Sequence, residues 1–158
     1  MGLGHRQPTR RDALAMTGAL AAGCAVPTIT MRPAAATPAD MQSAIARIIG
    51  EAKVNVGKVR LDIPPLVENG NTVPCTISVE SPMTPADHVK AIHVVSERNP
   101  QPNVISAFLG PRAGRANVSA RIRLADTQTV IAVAQMSDGS FWSTSVNVIV
   151  TVGACLEE

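Results

Sequence analysis

Three cysteines and three histidines carry the soft or switchable chemistry of this chain, and their spacing scatters them along it. Cys155 stands fourth from the end, in Val152-Gly153-Ala154-Cys155-Leu156-Glu157-Glu158, directly after a long β-type run. Chain ends move unless they are tied down, so a thiol there is placed to reach away from its domain. The thiolate is the reactive form, and its share depends on local charge. Glu157, Glu158 and the α-carboxylate crowd Cys155, and negative neighbours disfavour one more anion. A self-activating catalytic cysteine needs the opposite setting. An attachment point that a second protein activates fits this one.

The other candidates do not assemble into a site. Cys75 falls at an alternating position of an apolar run, where free cysteine behaves as a small buried hydrophobe. The competing reading pairs Cys75 with Cys155 in a disulfide, which an oxidising compartment permits; that bond would occupy the terminal thiol. His88 and His93 are five apart, without a Cys-x-x-Cys or His-x-x-x-His companion, so the spacing supports no zinc or haem site. They read as strand or rim histidines, and Asp87 beside His88 is a bare acid–base suggestion. Gly110-Pro111-Arg112-Ala113-Gly114 lacks the Lys-Ser/Thr ending of a phosphate loop. No serine occupies a Gly-x-Ser-x-Gly elbow. No catalytic constellation, metal site or cofactor motif emerges.

The N-terminus bears on where this chemistry would run. Arg10-Arg11 precede a short Ala/Leu/Gly/Thr-rich stretch ending near Val26, the twin-arginine form of a bacterial export signal. The stretch is too short to cross a membrane as a helix, which takes roughly 20 apolar residues. Ala34-Ala35-Ala36 offers a small-residue cleavage site, giving a mature chain from Thr37. Cys24, after Ala21-Ala22-Gly23, resembles a lipoprotein cysteine, although Ala stands three residues before it in place of the usual Leu. Lipidation there would be the one link to a membrane; cleavage at Ala36 gives a soluble periplasmic product. Processing also moves the net charge from +2 to −1, with ten Lys/Arg against eleven Asp/Glu in residues 37–158. No basic cluster remains to attract nucleic acid.

Residues 37–152 must position the thiol, and residues 153–158 form a terminal arm. Ala39 to Gly50 reads as a helix, with Asp40 as its cap, Met41, Ala44, Ile45, Ile48 and Ile49 at helical spacing, and Gly50 as its end. The period then changes to two. Strands are predicted over Gly57–Ile63, Val73–Glu80, Val89–Glu97, Val104–Leu109, Arg115–Leu124, Thr129–Gln135 and Phe141–Thr151. Turn residues separate them, including Glu68-Asn69-Gly70-Asn71 and a Ser137-Asp138-Gly139-Ser140 hairpin. Arg115, Asn117, Ser119, Arg121 and Arg123 alternate with Ala116, Val118, Ala120, Ile122 and Leu124, one face wet and one buried. The pattern predicts a mainly β antiparallel sandwich with one short N-terminal helix. With only Phe108, Phe141 and Trp142 as aromatics, its core must be aliphatic.

Several segments carry a resemblance. Besides the twin-arginine signal, they are Asn69-Gly70-Asn71-Thr72-Val73-Pro74, Ser81-Pro82-Met83-Thr84, Asp87-His88-Val89-Lys90-Ala91-Ile92-His93 and Met136-Ser137-Asp138-Gly139-Ser140-Phe141-Trp142, followed by the near-terminal cysteine. In this order they resemble the SoxY family, sulfur-carrier subunits of bacterial thiosulfate oxidation. The resemblance implies a periplasmic, immunoglobulin-like sandwich that pairs with a SoxZ subunit and is not itself an enzyme. It implies no cofactor. Cys155 would be the attachment site, with Gly153, Ala154 and Leu156 as the arm around it. The SoxXA cytochrome would join thiosulfate to it oxidatively as a cysteine S-thiosulfonate. SoxB would release sulfate, and the SoxCD dehydrogenase or another acceptor would take the remaining sulfur. The family ending is Gly-Gly-Cys-Gly-Gly, and this chain departs from it at Ala154, Leu156, Glu157 and Glu158. That departure leaves a second reading: a SoxY-like interaction domain that pairs with a SoxZ-like partner without carrying sulfur. In a third, Cys155 links two copies by a disulfide.

Overall fold

The computed structural model describes residues 37–154. Arg10, Arg11, Cys24, Cys155, Leu156, Glu157 and Glu158 lie outside the described residues.

Helix α1 (Pro38–Ile49) is capped by Thr37, with Asp40 in a different role from the one expected. The Thr37 hydroxyl accepts from the Asp40 amide at 3.4 Å, and the Asp40 carboxylate accepts from the Thr37 amide at 2.8 Å. This reciprocal box satisfies two donors that a helix start otherwise leaves open. Hydrogen bonds from Thr37 also hold the Asp40 carboxyl below its ordinary pKa. Pro38 fits the first turn, where its missing N–H is not needed. Gly50, at φ 62°, ends the helix.

Nine strands follow: β1 (Val54–Val56), β2 (Val59–Asp62), β3 (Leu66–Asn69), β4 (Val73–Val79), β5 (Val89–Ser96), β6 (Asn103–Phe108), β7 (Ala116–Ile122), β8 (Gln128–Met136) and β9 (Phe141–Val152). They form a larger sheet in the order β1-β9-β8-β5-β6, with β3 also pairing β9, and a smaller sheet β2-β4-β7. The seven predicted strands are present as β2 and β4–β9. The structure adds β1 and β3, both parallel to β9; all other pairings are antiparallel. The predicted turn at Glu68-Asn69 is shifted, because both residues belong to β3 and the chain turns at Gly70-Asn71. The hairpin at Ser137–Ser140 forms, with Gly139 at φ 85° and the Met136 amide donating to the Ser140 carbonyl at 2.9 Å.

The core lies between the sheets. Val73, Ile77, Val89, Ile92, Val94, Leu124, Val130, Ala132, Ala134 and Val148 are fully buried there. Each large aliphatic side chain so buried contributes about 1.5–3 kcal/mol, which lets an aromatic-poor sequence hold a sandwich. The larger sheet is also buried on part of its outer face. Ala91, Val95 and Val133 point away from the inter-sheet core, yet they are closed to solvent where α1 packs on β5.

Candidate functional site

Strand β9 delivers the chain to Cys155, and its last residues are bound into the domain. Its β-branched run ends at Val152, whose carbonyl accepts from the Gly70 amide at 2.7 Å. The Leu124 amide donates to the Gly70 carbonyl at 2.9 Å, and the Ala154 amide donates to the Leu124 carbonyl at 3.0 Å. Three backbone bonds thus join the turn after β3, the segment after β7 and the residues that precede Cys155. Two glycines make the approach possible. A Cβ on Gly70 would collide with the Leu124 carbonyl oxygen, and one on Gly153 with the Ala125 carbonyl oxygen. Neither glycine has a positive φ, so the absent side chain serves close backbone approach.

The segment that receives Ala154 is itself fastened. The Asn99 side-chain amide donates to the Arg123 carbonyl at 2.7 Å. Its oxygen accepts from the Ala125 amide at 2.9 Å and from Gln128 Nε2 at 3.0 Å. Gln128, 2% exposed, accepts from the Arg98 amide at 2.8 Å. These partners also fix which end of the Asn99 amide is oxygen, because two donors meet one atom and a carbonyl meets the other. On the strand side, the Val150 amide donates to Thr127 Oγ1 at 3.0 Å, and Thr151 Oγ1 donates to the Glu68 carbonyl at 2.9 Å.

The residues singled out from sequence therefore separate. Gly153 and Ala154, expected to belong to a free arm, are part of the domain body: Gly153 is half-buried, and Ala154 is 8% exposed. Cys75 is a free thiol on the core face of β4, 1% exposed. Burial, with Asp62 adding to it, pushes its pKa from 9.0 up to about 11. In the described residues it is protonated and closed to solvent; the pairing of Cys155 lies outside them.

His88 sits by the start of β9, at the opposite end of that strand from Ala154. Its amide donates to Ser137 Oγ at 3.1 Å, and its Nδ1 lies 3.2 Å from the Thr84 carbonyl. Ten residues of extended strand separate Trp142 from Val152, about 33 Å. Three of the resemblance segments (81–84, 87–93 and 136–142) gather at or toward that distant end. His93 lies on the outer sheet face, with Nδ1 3.0 Å from Ser106 Oγ and its ring edge-on to Phe108 at 6.0 Å. Burial lowers its pKa and favours the neutral ring. Among the described residues no three His, Cys, Asp or Glu side chains gather to hold a metal.

Sequence reasoning missed Asn99, and it placed Leu124 on the buried face, as found, without its role as acceptor for Ala154. The Asn99-Pro100 dipeptide marks a loop and says nothing of which carbonyl the Asn amide will reach. Gly70 was visible only as a turn residue.

Comparison with known proteins bears on this fold and on its end. The profile of sulfur oxidation protein SoxY matches residues 45–155. The solved structure of the sulfur carrier protein SoxY from Chlorobium limicola f thiosulfatophilum aligns with a TM-score of 0.60 at 27% identity, over 72% of this chain and 98% of that one. A superoxide reductase (neelaredoxin) from Ignicoccus hospitalis aligns over 60% of this chain and 80% of its own, at 14% identity and a TM-score of 0.54. A putative superoxide reductase from Thermotoga maritima aligns over 61% and 93%, at 19% identity and 0.53. The two reductases share the fold alone. No curated protein matches the chain. The described residues thus adopt a mainly β, immunoglobulin-like sandwich with one α-helix.

Proposed function

Because this chain belongs to the SoxY sulfur oxidation family, we propose that it is a covalent sulfur carrier whose attachment point is Cys155. The observation that carries the reading is the family match extending to residue 155, together with the backbone bond that holds Ala154 immediately before it. The second cysteine of the domain is buried and protonated, so chemistry at a thiol falls to Cys155.

Loading is an oxidation. The Cys155 thiol and thiosulfate join through a new S–S bond, giving a cysteine S-thiosulfonate, one proton and two electrons. The electrons go to a SoxXA-type cytochrome. Hydrolysis by a SoxB-type enzyme then breaks the S–SO₃ bond: water supplies the fourth oxygen of sulfate, two protons are released, and a persulfide anion (Cys–S–S⁻) stays on Cys155. A SoxCD-type dehydrogenase or another acceptor takes that sulfur. The chain presents the cargo and makes none of these bonds itself. It works in the periplasm after twin-arginine export, paired with a SoxZ-like subunit.

Intact mass after incubation with SoxZ-, SoxXA-type partners and thiosulfate tests this. The mass must rise by the thiosulfate adduct on Cys155, and Cys155→Ser must abolish the increase. A Cys155→Ser protein that still gains the mass overturns the reading.

One observation favours the interaction-domain reading instead. Gly153 is used in packing against Ala125, and Ala154 and Leu156 replace family glycines, so no free glycine flanks the thiol. That reading requires partner binding and physiological role to survive Cys155→Ser.

A further inference from the structure

Asn99 stands outside the reaction chemistry, yet its side chain brackets the residue on which the arm is fixed. Leu124 offers its carbonyl to the Ala154 amide at 3.0 Å. The peptide groups on either side of Leu124 are both held by Asn99, through the Arg123 carbonyl at 2.7 Å and the Ala125 amide at 2.9 Å. Gln128 Nε2 holds the Asn99 oxygen from behind at 3.0 Å. The path from Asn99 to the thiol-bearing residue is therefore short: one side-chain amide, one clamped peptide, one backbone hydrogen bond, one covalent step to Cys155.

We infer that Asn99 is a positioning residue for sulfur transfer, fixing Ala154, the residue to which Cys155 is joined. The inference rests on the carrier reading of Cys155. Consecutive Cα atoms are about 3.8 Å apart, so the position of Ala154 largely decides where the Cys155 backbone can be. A partner enzyme must receive the thiol, or the sulfur on it, in reactive register, and misplacement by about 1 Å can cost on the order of a hundredfold in rate. A small reagent arrives from any direction and is indifferent to that register. Without the Asn99 amide, the Arg123 carbonyl and the Ala125 amide lose their partners. Leu124 gains freedom, and the tether then presents Cys155 over a wider volume at lower effective concentration.

The test compares wild type, Asn99→Ala and Asn99→Asp, each as the full processed chain with its partner subunit. Asp keeps the two accepting bonds and loses the donation to Arg123. Three rates are measured: hydrogen exchange at the Ala154 amide, alkylation of Cys155 by iodoacetamide, and partner-dependent loading of thiosulfate followed by intact mass. Asn99→Ala raises Ala154 exchange and slows loading by about tenfold or more, while alkylation stays within about twofold of wild type. Asn99→Asp falls between wild type and Asn99→Ala, and it decides the matter if the alanine protein does not fold. A purely structural role would leave the ratio of loading to alkylation unchanged, and that result overturns the inference. Unchanged exchange at Ala154 overturns it too, by removing the mechanical link. If wild type takes no sulfur while alkylating normally, the carrier reading fails, and the positioning role fails with it.

Discussion

Gly153 lies so close to the carbonyl of Ala125 that no side chain can stand between them. A glycine beside a carrier cysteine invites the view that it is a joint. Here it is a packing surface, and the two views differ in what a methyl group does. Gly153→Ala should force backbone displacement at the 124–125 segment and cost about 1–3 kcal/mol, as overpacking does. Thermal unfolding reads this directly as a melting point lower by several degrees. A joint would tolerate alanine with no change in melting temperature.

Cys75 and Cys155 should part company in any thiol assay on the folded protein. Cys75, closed in the core, should resist alkylation until the domain unfolds, and Cys75→Ala should leave sulfur loading intact. Cys155→Ser should remove both the fast-reacting thiol and the adduct. Peptide mapping of alkylated protein checks this, and modification of Cys75 at the rate of Cys155 would contradict the burial.

The same buried thiol gives the domain an alkaline limit. Folding raises the Cys75 pKa from 9.0 to about 11, so between these values the unfolded chain has released a proton that the folded chain still holds. Stability therefore falls as pH rises across that window, by at most about 1.4 kcal/mol per pH unit, with no contribution from this group below pH 9. Denaturant unfolding at pH 8, 9, 10 and 11 should show a steeper loss for wild type than for Cys75→Ala. Parallel slopes for the two would remove the effect.

Two neighbours in the network that holds the 123–125 segment should behave very differently. The Arg98–Asp126 ion pair is short at 2.7 Å, but both side chains are 55% exposed, and exposed pairs are worth about 0–1 kcal/mol. Arg98→Ala should be nearly silent in unfolding measurements. Gln128 is buried and bonded at both ends of its amide. Gln128→Ala strands the Arg98 amide and should cost about 1–3 kcal/mol. Equal effects would mean that burial is not what makes this network stiff.

The alternation of β7 and the helical period of α1 were legible because each residue's environment there follows from its local spacing. Strands β1 and β3 were not. They have three and four residues, too few to show a period, and their order comes from lying parallel to β9, as when Val54 pairs with Phe141. Local propensity does not register a partner so far along the chain. The helix cap was misplaced by three residues because Thr37 and Asp40 cap each other, and either alone satisfies a sequence rule. At the candidate site, Cys155 was visible from its position. Gly70 and Gly153 were visible as glycines, but the sequence offers conformational freedom as their reason, and the contacts with Leu124 and Ala125 supply a different one. Asn99 carried no signal, since an amide's hydrogen-bond partners are chosen by loops 24 and 26 residues away.

Strand β9 follows every other strand in the chain, yet it pairs with three of them: β1, β3 and β8. Two of those partners are among the first strands to be synthesised. Strands β1 and β3 cannot take their native partner until β9 has been made, so the larger sheet is complete only once the chain reaches Val152. Such long-range pairing folds slowly. Docking of Ala154 on Leu124 would come at or after that closure.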